Sequence, residues 1–133
     1  MSALPPIIVS AVAVVRERRV LMVTARGRDV LYLPGGKVDE GESAVDAAAR
    51  ETREELGADA LGLKPLFTVR TQAHGEPEGR DVHMSVFAAQ LDREARPSGE
   101  IDSLHWVDAS ATDRCPPAGV ETLRRLRALG LVD

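Results

Sequence analysis

The sequence predicts an α/β fold with a mixed sheet, and two observations carry that expectation. Apolar segments and turn signals arrive in the order strands, helix, strands, helix. The chain has 133 residues, 44% of them apolar. That suffices for one domain, residues 1–133, burying roughly two-thirds of its unfolded surface without a disulfide or structural metal.

The elements follow in order. Ile7–Val15 is rich in β-branched residues and ends at the charged turn Arg16-Glu17-Arg18-Arg19; Val20–Thr24 resumes the apolar pattern, so the pair reads as a hairpin. A short third strand, Val30–Leu33, is stopped by Pro34-Gly35-Gly36. A helix then runs from Ser43 to Leu56. Ser43 caps it, Asp46 three residues on completes a shortened capping box, and Gly57 suits the left-handed closing position. Leu66–Thr71 and Val82–Leu91 read as strands joined by the loop 73–79, and Pro97-Ser98-Gly99 breaks the chain before a strand at Ile101–Val107. Pro116-Pro117 opens a last helix to about Leu129, ended by Gly130. Val120, Leu123, Leu126 and Leu129 form its apolar stripe, and Arg124, Arg125 and Arg127 a solvated face suited to the C-terminal dipole.

Composition excludes several classes of function. A net charge of −4 argues against polymeric nucleic acid, whose phosphates require clustered Lys and Arg. The four aromatics (Tyr32, Phe67, Phe87, Trp106) are too few for a base-stacking platform, and three of them read as core. The lone cysteine, Cys115, rules out an internal disulfide, suits a reducing cytoplasm and reads as buried packing. The apolar run at Ile7–Val15 follows Pro5-Pro6 and precedes its arginines, the wrong order for an export signal, and nine residues cannot span a bilayer. A cytoplasmic protein without a membrane partner is expected. His74, His83 and His105 share no metal-ligand spacing.

The first helix is unusual. At about 100° per residue, Val45, Ala49, Thr52 and Leu56 form its core stripe, while Glu51, Glu54 and Glu55 gather on roughly the opposite side with Ala44 and Ala47. Like charges at that spacing cost a helix a few tenths of a kcal/mol per pair. Two readings stand: a solvated acidic face balanced by Arg50 and Arg53, or a set of hard oxygen ligands of the kind Mg²⁺ and Mn²⁺ prefer. Pro34-Gly35-Gly36-Lys37, just before it, is either a plain turn or bare backbone that a ligand can approach closely.

Together these features make the run Gly36-Lys-Val-Asp-Glu-Gly-Glu42-Ser-Ala-Val-Asp-Ala-Ala-Ala-Arg50-Glu51-Thr-Arg-Glu54-Glu55-Leu-Gly57-Ala58. It resembles the signature of the Nudix hydrolases: Gly, five residues, Glu, seven residues, Arg-Glu, two residues, Glu-Glu, one residue, Gly. All seven fixed positions match, and a chance match in a chain this long is on the order of one in a million. Thr52 and Ala58 replace larger aliphatic residues usual in the family. Leu31-Tyr-Leu-Pro-Gly-Gly-Lys37 is similar to the approach to this box in MutT-type members, as are the Glu100–Trp106 spacing and Cys115-Pro-Pro-Ala-Gly119.

The resemblance implies an α/β/α sandwich with a mixed central sheet, and hydrolysis of a nucleoside diphosphate linked to another moiety. By the same resemblance, Glu51, Glu54, Glu55, the Gly35 carbonyl and Glu100 hold Mg²⁺ or Mn²⁺. Glu54 is the favoured general base, with Glu51 and Glu100 as alternatives. Arg50 orients the carboxylates and pairs with Glu42, Lys37 and Arg26 contact phosphate, and Gly36 and Gly57 shape the motif. The partner is a small nucleotide (a nucleoside triphosphate, ADP-ribose or a dinucleotide polyphosphate), and a homodimer is compatible. MutT-type enzymes that act on oxidised guanine nucleotides read the base with an asparagine where this chain has Gly119, so that specificity does not carry over. A non-catalytic sensing or interaction module of the same fold is the alternative class.

Overall fold

The computed structural model describes residues 4–133. Strands β1 (Ile7–Ala13) and β3 (Arg19–Ala25) read as unbroken apolar runs because both of their faces are covered. On one face Ala11, Ala13, Val20 and Met22 join Leu31, Leu33 and three residues of the C-terminal region, Leu123, Leu126 and Val132. On the other, Val12, Val14, Leu21 and Val23 join Ala48, Leu56 and Phe87. Successive strand residues thus feed opposite layers, and helix α1 (Ala44–Leu56) closes one side while α2 (Pro117–Ala128) closes the other. The architecture is α/β with flanking helices.

The strands form a mixed sheet ordered β4 (Gly35–Lys37), β1, β6 (Asp81–Leu91), β5 (Ala60–Gln72) and an antiparallel sheet ordered β2 (Val15–Arg16), β3, β7 (Ile101–Val107). β1 runs parallel to β6 (Asp81–Leu91), which pairs antiparallel with β5 (Ala60–Gln72). β7 (Ile101–Val107) pairs with β3.

Several elements depart from the sequence reading. The expected hairpin closes through a two-residue turn in which Glu17 and Arg18 take up φ of 52° and 63°, but it shrinks to β2 (Val15–Arg16) against β3, because β1 itself crosses into the other sheet. Val30–Leu33 makes only an isolated bridge, Val23 to Tyr32. The mixed sheet takes its edge strand instead from β4 (Gly35–Lys37), antiparallel to β1. Glycine permits this close approach: a Cβ on Gly35 would lie 2.7 Å from the Ala11 Cα. Between β7 and α2 the chain also forms a 3₁₀ helix, Ala109–Arg114, capped by Asp108. In α2 the buried residues are Gly119, Thr122, Leu123 and Leu126; Leu129 is exposed, and Val132 fills the core beyond it.

α1 starts and stops where its caps dictate. The Ser43 Oγ accepts the Asp46 N–H at 3.1 Å, and Gly57 adopts φ 61°. Its buried stripe is Ala47, Ala48, Thr52 and Leu56, while Val45 is 40% exposed and Ala47 belongs to the core. Phe87 is buried, but Phe67 and Trp106 are only partly so, capped by Arg125 and Arg16 guanidinium groups 5.4 and 4.8 Å from their ring centres. Among the described residues, no helix is long and apolar enough to cross a membrane.

Candidate active site

With Ala47, Ala48 and Thr52 turned into the core, Glu51 and Glu55 lie at the rim of the buried face, against Gly35 and Gly36. The Gly35 N–H donates to Glu55 Oε1 at 3.0 Å. A Cβ on Gly36 would sit 2.5 Å from the Glu51 carboxyl carbon, so the absent side chain is what admits Glu51.

Arg50 is the organiser of the rim. Its Nε and Nη2 donate to the two carboxylate oxygens of Glu42 at 2.8 and 3.0 Å, a bidentate pair. Its Nη1 donates to Glu51 at 2.9 Å and lies 3.4 Å from Glu54, and Nη2 also reaches the Lys37 carbonyl at 3.1 Å. Arg50 holds the Glu42 carboxyl down at about 2, with help from the Asp39 N–H, which donates to it. Glu51 is confined, its side chain 14% exposed; Glu54 is 57% exposed and only loosely held. Arg53 points elsewhere, to Asp59 at 2.8 Å.

Burial pushes the Glu55 carboxyl up to about 7, against the opposing pull of the Gly35 N–H; the charges of Glu51, Glu54 and Glu100 add to the rise. Glu100 arrives from a segment docked on the end of α1. The N–H groups of Arg96 and Ser98 donate to the Leu56 and Glu55 carbonyls at 2.9 and 3.1 Å, serving acceptors that the helix end leaves unpaired.

A cleft of about 380 Å³ opens beside this rim. Gly35, Gly36, Lys37, Glu55 and Glu100 line it, and so does Gly119. Its floor is apolar, with Val9 and Met84 from adjacent strands, and it ends near Gln72, His74 and Pro116. Arg26 is exposed and outside the lining, though its N–H donates to the Glu100 carbonyl at 2.9 Å. Gly57 lies behind the site, where a Cβ would meet Arg96 Nε at 2.7 Å. Burial pushes the Cys115 thiol up to about 11, so it is no nucleophile; its Cβ lies 2.9 Å from where a Gly119 Cβ would be.

The sequence assigns no binding role to Tyr32, Met84, Gln72 or His74, all of which line the cleft. Their signal is non-local. Only the pairing of β5 with β6, which sets Gln72 opposite Asp81, brings the loop 73–79 to the cleft.

Among the described residues, no three carboxylate, His or Cys side chains are already drawn together as a metal cage. Glu51 is engaged by Arg50, and Glu55 by Gly35. The donor set nonetheless fits a hard divalent cation: the charges of three carboxylates, Glu51, Glu54 and Glu100, add to the rise that burial imposes on Glu55, an excess of negative charge that a cation relieves.

The family model described as NUDIX domain matches residues 5–126 of this chain. An 8-oxo-(d)GTP phosphatase of Mycolicibacterium smegmatis is 35% identical over 95 residues, covering 70% of this chain and 29% of that protein. The chain spans between 29% and 58% of the length of the curated relatives it matches. Among solved structures, a MutT NUDIX hydrolase from Burkholderia pseudomallei is 27% identical with a TM-score of 0.72, covering 98% of this chain and 100% of that one. The E. coli ORF135 protein is 26% identical with a TM-score of 0.74, covering 96% and 94% respectively.

Proposed function

The chain belongs to the NUDIX domain family, and on that premise we propose that it is a pyrophosphohydrolase cleaving the phosphoanhydride of a small nucleotide with Mg²⁺ or Mn²⁺. The observation that carries this reading is the Arg50-organised carboxylate rim opening onto a deep apolar cleft beside Lys37. An apolar slot suits a base and a sugar; the rim suits a polyphosphate. The two cores share β1 and β3, which supports treating the chain as one domain.

Glu51, Glu54, Glu55, Glu100 and the Gly35 carbonyl are the groups we assign to hold the cation. When bound, it supplies neutralisation of the polyphosphate charge and Lewis-acid polarisation of the anhydride. Arg50 keeps Glu51 oriented and, being clamped by Glu42, cannot swing away. Glu54 is the general base: it is the exposed member of the set, free to take a proton from the attacking water, whereas Glu51 is committed to Arg50. Lys37, which lines the cleft, is the cation assigned to the phosphates in preference to Arg26. The presence of every box carboxylate speaks against a non-catalytic module. The lone free cysteine is consistent with a reducing cytoplasm.

The Mycolicibacterium relative's name points to oxidised guanine nucleotides. Gly119 offers no side chain to read a base, and Cys115 occupies the space an added one would need, so a nucleoside triphosphate without strong preference for oxidised guanine is the substrate class proposed. The test is a panel of nucleoside triphosphates, ADP-ribose and dinucleotide polyphosphates with Mg²⁺ and Mn²⁺, products resolved by chromatography. Metal-dependent release of phosphate or pyrophosphate is expected, with kcat for Glu54→Gln lower by about 10²-fold or more. No hydrolysis of any member would overturn the reading.

A further inference from the structure

The position of Glu100 is set by a short strap, residues 96–99, that lies across the last turn of α1. Three backbone hydrogen bonds hold it: Arg96 N–H to the Leu56 carbonyl (2.9 Å), Ser98 N–H to the Glu55 carbonyl (3.1 Å), and Ile101 N–H back to the Ser98 carbonyl (3.1 Å). The last of these closes a β-turn with Gly99 and Glu100 at its two central positions. Gly99 sits at φ 60°, and Glu100 is not among the residues of positive φ. A turn with positive φ at its first central position alone is one that an L side chain resists. Space is short as well: a Cβ on Gly99 would lie 3.1 Å from the Glu54 carbonyl oxygen. On the far side of the turn, the Arg26 N–H donates to the Glu100 carbonyl. Glu100 is therefore pinned before and behind, and the turn between is one that glycine makes easily.

We propose that Gly99 is a positioning residue: it lets the strap lie flat on the turn of α1 that bears Glu54 and Glu55, and so fixes Glu100 at a set distance from those carboxylates. The strap ties the fourth carboxylate to the helix itself. The inference rests on the reading of Glu100 as a cation ligand, and the variants below separate the two.

The measurement is Mn²⁺ affinity of the nucleotide-free protein, read from the free-Mn²⁺ electron paramagnetic resonance signal and independently from the Mn²⁺-induced rise in Tm. Glu100→Gln should weaken Mn²⁺ binding by about tenfold. Gly99→Ala should weaken it by a similar factor, while still melting in one transition in EDTA. The double variant should bind no more weakly than Glu100→Gln alone, because Gly99 acts only through Glu100. If Gly99→Ala does not fold, Gly99→Asn replaces it, since Asn tolerates the left-handed backbone but still carries the Cβ. Affinity within twofold of wild type in the glycine variant, beside a clear loss in Glu100→Gln, overturns the role of Gly99. A hundredfold, additive loss in the double variant also overturns it, since the glycine would then act on the fold at large. An unchanged affinity in Glu100→Gln overturns the ligand role of Glu100, and the inference with it.

Discussion

The carboxyl carbon of Glu51 stands 2.5 Å from where a methyl group on Gly36 would be, so these two residues, fifteen apart in sequence, exclude one another's growth. Glu51 in turn takes a hydrogen bond from Arg50 at 2.9 Å. A glycine in an edge strand thereby decides where a helix carboxylate can rest.

Gly36→Ala should push Glu51 off Arg50 while leaving the fold standing, because β4 is short and at a sheet edge. The expected outcome is a kcat/KM lower by roughly 10²-fold with Tm lowered by only a few degrees. Steady-state kinetics beside melting curves check it; near wild-type turnover would mean that Glu51 need not lie where it does.

Glu55 links stability to pH. Its folded-state carboxyl is raised from 4.5 to about 7 by burial, then by neighbouring charge. The unfolded chain ionises first, so the stability this group contributes is fully present below about pH 4.5 and is lost as pH rises through 7. In EDTA, Glu55→Gln should therefore gain in Tm relative to wild type between pH 5 and pH 8. Saturating Mn²⁺ should reverse the order. At a hundred times its dissociation constant, an ion that binds only the folded site adds about 2.7 kcal/mol, several degrees for a chain this size. Equal metal shifts in both proteins would remove Glu55 from the metal site.

Base selectivity should be lax. With Gly119 bare and blocked by Cys115, kcat/KM for oxidised dGTP over dGTP should differ by less than about tenfold, or 1.4 kcal/mol. A thousandfold preference would show that another residue reads the base.

Gln72 holds the loop 73–79 in shape. Its Nε2 donates to the Pro77 carbonyl at 2.9 Å and its Oε1 accepts the Gly79 N–H at 3.0 Å. Each such bond contributes about 1 kcal/mol. In Gln72→Leu, amide exchange at Gly79 should speed up by about tenfold or more, with β1 and β3 unaffected. Unchanged exchange would mean that the loop is held by its own backbone turns.

What was legible in the sequence is local. Ser43 and Gly57 bound α1 through hydrogen bonds and a backbone angle that involve only their near neighbours, and the spacing of Arg50, Glu51, Glu54 and Glu55 along one helix follows from its pitch. The strand-rich runs around one central helix likewise announce an α/β fold. What remained hidden depends on which strand lies beside which. Periodicity put Val45 in the core stripe and Ala47 outside it; the structure reverses this, because β4 pairs with β1 through two glycines and leaves room at that edge for carboxylates rather than for a larger apolar face. Val30–Leu33 has the composition of a strand, yet the pairing went to Gly35–Lys37, since close approach to Ser10 and Ala11 rewards the lack of a side chain. Gln72 and His74 reached the cleft by the register of β5 on β6. Caps and helical spacing are properties of neighbouring residues, and so can be read along the chain; sheet order, register and the side on which a helix docks are settled by contacts between distant residues, and only the folded chain contains them.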